Sequence, residues 1–287
     1  MPELPEIQTI VNDLNKTILN KKIKRVEIRL SKIVKGNNKD FNSILKNNSF
    51  QKISRWGKFI IIQLIQKNKY LIVHLRMTGQ IIYINKDEII VGGHSVENNP
   101  LDLPHKQTHL IIHFQDQSEL FYNDQRQFGF WQIVDSKGLK KIQDKLGLDP
   151  LGNEFSLLNF KKLFLDKKGN IKAFLLNQKY VAGLGNIYVD ESLFRAHILP
   201  FRKTNTITEK ELKKLYQSIK DILKLSIKYR GTTFNNYIDT KGHKGKFTKF
   251  LKVYRKEGQK CSRCGKGIIK KIRVAGRGTR YCPYCQR

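Results

Sequence analysis

The chain has 287 residues, with 55 Lys and Arg against 24 Asp and Glu, four Cys, 39% hydrophobic residues and a formal net charge of +31. This length and apolar content suffice for one large core or two of medium size, which excludes a disordered tail. The longest apolar run, residues 59–62, falls far short of the roughly 18–20 residues that a bilayer span needs. The opening Met1-Pro2-Glu3-Leu4-Pro5-Glu6 carries two acids and no apolar targeting core, so the expected location is the cytoplasm.

A charge of +31 attracts polyanions and releases their counterions on contact, which makes nucleic acid the leading partner class. A Lys-rich codon bias would spread the charge evenly. Instead, residues 241–287 hold 16 Lys or Arg and one acid, about half of the whole excess.

In chain order, Ile7, Ile10, Val11, Leu14 and Ile18 recur at helical spacing after Pro5, which predicts a first helix. Short β-rich runs follow at 24–30, 58–65, 70–77, 109–114, 119–123 and 130–134, bounded by turn residues, and predict a sandwich or barrel. Ser-Lys-Gly, Gly-Leu-Asp-Pro and Leu-Gly-Asn then break the pattern, which predicts an inter-domain linker over 135–152. Helical periods occupy 160–165, 171–176 and 187–196, followed by a long amphipathic helix over 208–229 opened by a Thr208/Glu211 capping box. Residues 230–246, rich in Gly, Thr, Asn and Lys, are expected to form a mobile loop. The expected architecture is α+β in two domains: a β-sandwich domain with a flanking helix at 1–134, then helices at 153–246 and a basic module at 247–287.

All four cysteines lie in that module, as Cys261-x2-Cys264 and Cys282-x2-Cys285 separated by seventeen residues. Two such knuckles can close one tetrahedral Zn²⁺ site, with the chain between them folding back as a β-hairpin around Gly276. Disulfides or a redox pair are the alternatives. A cytosolic chain keeps its thiols reduced, and no thioredoxin-like βαβ pattern surrounds them. Four thiolates leave no open coordination position, so the ion is structural, and its task is to hold Arg273, Arg277 and Arg280 rigidly toward a ligand.

Because residue 2 is small, Met1 is expected to be removed, leaving a prolyl amine. A secondary amine near cations can act as a nucleophile at neutral pH, and Glu3 or Glu6 beside it can move protons. Taken alone, Pro-Glu-x-Pro-Glu is more often an ordinary helix start.

Six ordered motifs change that balance: the N-terminal hexapeptide, Arg55-Trp56-Gly57-Lys58, His74-Leu75-Arg76-Met77-Thr78-Gly79, Asp124-Gln125-Arg126-Gln127-Phe128-Gly129, Gly183-Leu184-Gly185-Asn186-Ile187-Tyr188 and the hairpin Gly276-Arg277-Gly278-Thr279. Together they closely resemble bacterial formamidopyrimidine-DNA glycosylase, end to end. The resemblance implies an N-terminal β-sandwich, a helix-two-turn-helix domain and a zinc finger. It also implies a bifunctional base-excision enzyme that removes oxidised purines, notably 8-oxoguanine, and nicks the abasic strand by β,δ-elimination. Pro2 would attack C1′, Glu3 would protonate the ring oxygen, Glu6 would hold the nucleophile, Lys58 would assist β-elimination and Arg277 δ-elimination. Met77, Arg126 and Phe128 would fill the void left by the extruded base. Asn186, Lys167 and Lys172 would contact phosphates, residues 232–246 would cover the flipped base, and double-stranded DNA would be met by a nucleoid-associated monomer.

This chain departs from the family pattern at Gln107, usually His, at Gln127, usually Arg, and at Asn177, usually Asp. Gln107 can still donate to a phosphate. The gap between the cysteine pairs is about one residue longer than usual, which questions the hairpin register. His74 reads equally as a structural or a phosphate-binding histidine. Two alternatives stand beside the main reading: endonuclease VIII, the sister family acting on oxidised pyrimidines, whose members usually carry Gly where this chain has Leu4, and a non-catalytic zinc-dependent lesion-binding protein.

Overall fold

Pro5 fixes the first turn of α1 (Leu4–Thr17), and Ile7, Ile10, Val11 and Leu14 recur along its buried face, as the periodicity predicts. The structure is a computed structural model that describes residues 1–66, 68–93, 102–232 and 246–287. After α1 come β1 (Ile23–Ile28), β2 (Val34–Lys35), α2 (Asn38–Leu45), β3 (Phe50–Trp56), β4 (Phe59–Leu64), β5 (Tyr70–His74) and β6 (Gly79–Ile84). Then follow β7 (Ile89–Gly93), β8 (Thr108–Phe114), β9 (Glu119–Asp124), β10 (Phe130–Val134) and α3 (Ser136–Gln143).

Among the described residues these strands form two sheets, ordered β1-β8-β9-β6-β7 and β2-β10-β5-β4-β3. Ile53, Ile60, Ile62, Val73 and Trp131 of the second sheet meet Ile81, Tyr83, Leu110, Ile112 and Tyr122 of the first in one buried cluster that also takes in Ile7, Ile10 and Leu14 of α1. This is the expected sandwich with its helix. Each such side chain contributes about 1.5–3 kcal/mol on burial.

Two departures have physical causes. The strand predicted over 70–77 ends at His74, because residues 75–78 cross from one sheet to the other. The stretch expected as a linker contains α3, N-capped by Asp135, whose Oδ1 accepts from Gly138 N at 2.7 Å. This helix has no buried residue, and with only Leu139 and Ile142 apolar in its eight residues its period is too short to stand out from the turn residues around it. The first compact unit runs from Met1 to Asp144 and takes up Tyr229–Lys246. The loop expected at 230–246 lies outside the described residues except at its ends.

The second unit comprises Lys145–Lys228 and Phe247–Arg287. It holds α4 (Leu157–Lys162), α5 (Ile171–Leu176), α6 (Asn186–Ala196), α7 (Glu209–Lys228), β11 (Lys270–Val274) and β12 (Arg277–Tyr281). The Thr208/Glu211 capping box forms as predicted, with Thr208 N donating to Glu211 Oε2 at 2.8 Å and Glu211 N to Thr208 Oγ1 at 3.3 Å. The hairpin register is regular, from Lys270 opposite Tyr281 to Val274 opposite Arg277. Its tip is the two-residue turn Ala275–Gly276, both at positive φ, so the longer cysteine gap is accommodated without a register shift. No helix of the structure, among the described residues, is long and apolar enough to cross a membrane.

Candidate active site and nucleic-acid interface

Pro2 and Glu3 are buried at the start of α1, while Met1 is half exposed. Glu3 N donates to Glu6 Oε2 at 3.0 Å, so the second acid braces the first. The other Glu6 oxygen accepts from Thr232 N at 2.8 Å and Thr232 Oγ1 at 3.0 Å. Two turns further along α1, Arg230 grips both oxygens of Asp13 at 3.0 and 2.7 Å. Glu6 thus bonds the chain start through Glu3 N and also ties it to Thr232.

Lys58 lies in the two-residue turn between β3 and β4 and is buried. The neighbouring Arg55 anchors this turn to α1, its Nε donating to Gln8 Oε1 at 2.8 Å and its Nη1 to Gly57 O at 3.3 Å. Burial pushes the Met1 amine below its ordinary value; Glu3 and Glu6 oppose this, and Lys58 adds to it. The amine, two carboxylates and an ammonium thus share one electrostatic neighbourhood.

His74 ends β5 beside this group. Burial, followed by the charges of Arg76, Lys58 and Lys35, pushes it down to about 3. It is therefore neutral, with Nδ1 accepting from Arg76 N at 3.0 Å and its ring 4.6 Å from that of Phe59 and 5.9 Å from that of Phe130. Of the two readings, the structural one describes these contacts.

Met77 and the Arg126–Phe128 pair come together although 49 residues separate Met77 from Arg126. Arg126 Nη1 stands 2.9 Å from Met77 Sδ, and the guanidinium lies 4.7 Å from the Phe128 ring centroid. Met77 and Phe128 are 40% and 54% exposed, so they are not the core residues their types suggest. Gln107 is half-buried at the start of β8, and its carbonyl accepts from Asp124 N at 3.0 Å.

In the second unit, Asn186 is the first residue of α6 and Gly185 its N-cap. Asn186 Nδ2 donates to Gly278 O of the hairpin at 2.9 Å. Lys167 is half-buried with its ammonium 5.6 Å from the Tyr180 ring centroid. Lys172 requires correction as a phosphate contact: its side chain is wholly buried, and Nζ donates to Asp190 Oδ1 at 2.6 Å, Thr279 Oγ1 at 2.8 Å and Gly278 O at 3.4 Å. Three acceptors occupy its three protons.

The four cysteine sulfurs lie within 4.8 Å of one another, with Cys261 and Cys285 at 3.6 Å and Cys264 and Cys282 at 3.8 Å. Tetrahedral thiolates about 2.3 Å from Zn²⁺ stand roughly 3.8 Å apart, so the donor set fits one structural zinc ion. Arg277 and Arg273 are exposed on the hairpin. Arg280 is not presented with them: its Nη2 is 3.2 Å from Glu257 Oε1, and its guanidinium sits 4.6 Å from the Tyr254 ring centroid. Sequence reasoning gave no role of their own to Asp124, Thr78 or Asp190, although the bonds Thr78–Asp124 and Lys172–Asp190 join residues 46 and 18 apart in the chain.

Residues 1–131 match the formamidopyrimidine-DNA glycosylase N-terminal domain, 146–237 the H2TH domain of that glycosylase, and 258–287 the zinc finger found in FPG and IleRS. The chain is 38% identical to formamidopyrimidine-DNA glycosylase of Pelotomaculum thermopropionicum, over all of this chain and 99% of that one. It is 37% identical to the protein of the same name from Streptococcus pneumoniae serotype 4, again over all of this chain and 99% of that one. Its structure is similar to a mutant Lactococcus lactis FPG in complex with DNA containing Fapy-dG, with a TM-score of 0.87 and 35% identity over all of both chains. It is also similar to Lactococcus lactis Fpg in complex with DNA containing an abasic site, with a TM-score of 0.86 and 36% identity over 99% of each chain.

Proposed function

The chain belongs to the formamidopyrimidine-DNA glycosylase family, and from its site we propose that Pro2, made the terminal amine by loss of Met1, attacks C1′ of an oxidised purine nucleotide. The protein is a DNA glycosylase of base excision repair with abasic-site lyase activity. As the Pro2 N–C1′ bond forms, the C1′–N bond to the base breaks and the base departs with a proton. Glu3 protonates the sugar ring oxygen, the ring opens, and the resulting iminium acidifies the C2′ protons. Loss of one such proton expels the 3′ phosphate with Lys58 assisting, and a second elimination, aided by Arg277, expels the 5′ phosphate. Glu6 holds the nucleophile.

Extrusion of the base leaves a void that Met77 and Phe128 fill by wedging, while Arg126 bonds the orphaned partner base. Gln107, Lys167 and Asn186 line the duplex backbone as neutral or singly charged contacts, His74 supports the site from within as a buried neutral ring, and Lys172 acts from beneath by fixing the hairpin. The zinc ion supplies rigidity to the finger and takes no part in the chemistry. The β-sandwich, the helices and the finger divide these tasks. A net charge of +31 supports a monomer in the cytoplasm, associated with the nucleoid.

The observation that carries this reading is the geometry of the chain start: Pro2 and Glu3 are buried at the head of α1, with Glu3 N held by Glu6 Oε2 at 3.0 Å. A pure binder needs none of these. The test is borohydride trapping on a duplex with one 8-oxoguanine opposite cytosine, comparing wild type, Pro2→Gly and Glu3→Gln. A covalent adduct with wild type that is lost or much reduced in Glu3→Gln supports the iminium route. Tight binding without an adduct would make the protein a lesion reader, and an adduct only on oxidised pyrimidines would move it to the sister specificity.

A further inference from the structure

The β5–β6 and β9–β10 connections both cross between the two sheets. They run side by side because their flanking strands pair at both ends, His74 opposite Phe130 in one sheet and Gly79 opposite Asp124 in the other. The first crossing carries Met77 and the second carries Arg126 and Phe128. At their junction lies Asp124, wholly buried at the end of β9.

Its carboxylate is filled from both crossings. Oδ1 accepts from Thr78 Oγ1 and from Arg126 N at 3.3 Å, and Oδ2 accepts from Gly129 N at 2.7 Å and Tyr122 OH at 3.1 Å. Thr78 Oγ1 in turn accepts from Arg126 N at 3.0 Å. Burial and the Asp124 charge raise the Tyr122 phenol, which keeps it a donor. A Cβ at Gly129 would stand 1.8 Å from Tyr122 OH, so only glycine lets the second crossing close over this group.

We propose that Asp124 is a positioning residue for lesion extrusion, setting Met77 in register with Arg126 and Phe128 so that the three enter the duplex as one unit. This rests on the void-filling role assigned to those three residues above. A carboxylate has acceptor sites for all four donors, and bonds to an ionised acceptor are about twice as strong as neutral ones. An amide at this position offers one oxygen and one NH₂ group. Whichever way it turns, either Arg126 N–H or Gly129 N–H faces another donor. The crossing so released is one of those that carry the wedge.

The test measures Asp124→Asn, Thr78→Val and Thr78→Ser against wild type on three duplexes: 8-oxoguanine opposite cytosine, 8-oxoguanine opposite adenine, and a preformed abasic site. Single-turnover base removal opposite cytosine is expected to fall about ten-fold or more in Asp124→Asn and Thr78→Val, the scale of one lost charged hydrogen bond. Nicking of the preformed abasic site, where no base is extruded, stays within about two-fold of wild type on the same scale. A guanidinium, donor only, fits the acceptors of an orphaned cytosine better than the mixed edge of adenine. Loosening Arg126 therefore moves the cytosine-to-adenine rate ratio toward one, and Thr78→Ser restores it.

Equal loss of base removal and nicking, tracking a fall in melting temperature, would reduce Asp124 to a stability role and overturn the proposal. So would unchanged base removal. If Asp124→Asn does not fold, Thr78→Val decides by the same ratios. A wild-type protein that removes no base from either 8-oxoguanine duplex would instead defeat the underlying functional reading, a result distinct from either outcome for the variants.

Discussion

Lys172 Nζ lies 2.6 Å from Asp190 Oδ1, and neither side chain is exposed to solvent. The pair joins α5 to α6, and both partners reach the zinc hairpin: Lys172 through Thr279 and Gly278, Asp190 Oδ2 through Arg280 N at 3.0 Å. Burial raises the Asp190 carboxyl, and the Lys172 ammonium pulls it back. Removing one member leaves the other buried without its counter-charge. Asp190→Ala is expected to lose about 3–5 kcal/mol in urea unfolding, whereas Lys172→Met with Asp190→Leu recovers most of it, because well-packed apolar replacements avoid the desolvation of both charges. A single and a double variant of equal stability would show that the pair does not bind the finger to the helices.

His74 offers a pH test. Its folded value is depressed, to about 3 against an ordinary 6.5, so its stabilising contribution is complete above 6.5 and is lost as pH falls toward 3. At about 1.4 kcal/mol per pH unit, roughly 2 kcal/mol disappears between pH 6.5 and 5. His74→Asn, which can still accept from Arg76 N, removes that dependence. Unfolding of both proteins at pH 7 and pH 5 should show wild type losing more stability by about this amount, and parallel losses would contradict a buried neutral imidazole.

Helices α1, α5 and α7 were legible because each buries one stripe against a core, and the zinc ligands because spacing alone defines a knuckle. Strand β6 was not, since Gln80 through Tyr83 are buried on both faces and leave no alternation to read. In β3 the register shifts between Phe50 and Lys52, which breaks the period of two. The site divides in the same way. Pro2, Glu3 and Lys58 are recognisable as motifs, but Asp124 also takes Thr78, 46 residues away, and the buried Lys172 is satisfied by Asp190, 18 residues on, together with Thr279, 107 residues on. Local sequence carries chemistry and period; it does not carry which distant polar group completes a buried bond.

The terminal amine should respond to Lys58 through charge as well as chemistry. With Met1 in place, burial lowers the terminal amine and the Lys58 charge lowers it further; the same charge near the Pro2 amine is expected to act in the same direction, so Lys58→Met raises it and leaves less free base at low pH. Borohydride trapping on a preformed abasic duplex, followed across pH, should show the acid limb of the variant displaced to higher pH. A uniform drop in rate with the limb unmoved would confine Lys58 to proton transfer.

Arg277 separates the two activities most directly. It stands exposed at the start of β12, its carbonyl accepting from Thr279 Oγ1 at 2.9 Å, and Thr279 is itself held by Lys172. The backbone beneath the guanidinium is therefore fixed independently of DNA, and Arg277→Ala should leave one zinc ion per chain and the melting temperature unchanged. Base removal depends on Pro2 and Glu3, so it should decline by no more than about three-fold, while strand nicking falls by about ten-fold or more. Loss of one phosphate contact should also lower the log–log salt slope of DNA binding by about 0.9. Equal loss of base removal and nicking, with an unchanged salt slope, would place the Arg277 guanidinium away from the phosphate and away from the second elimination.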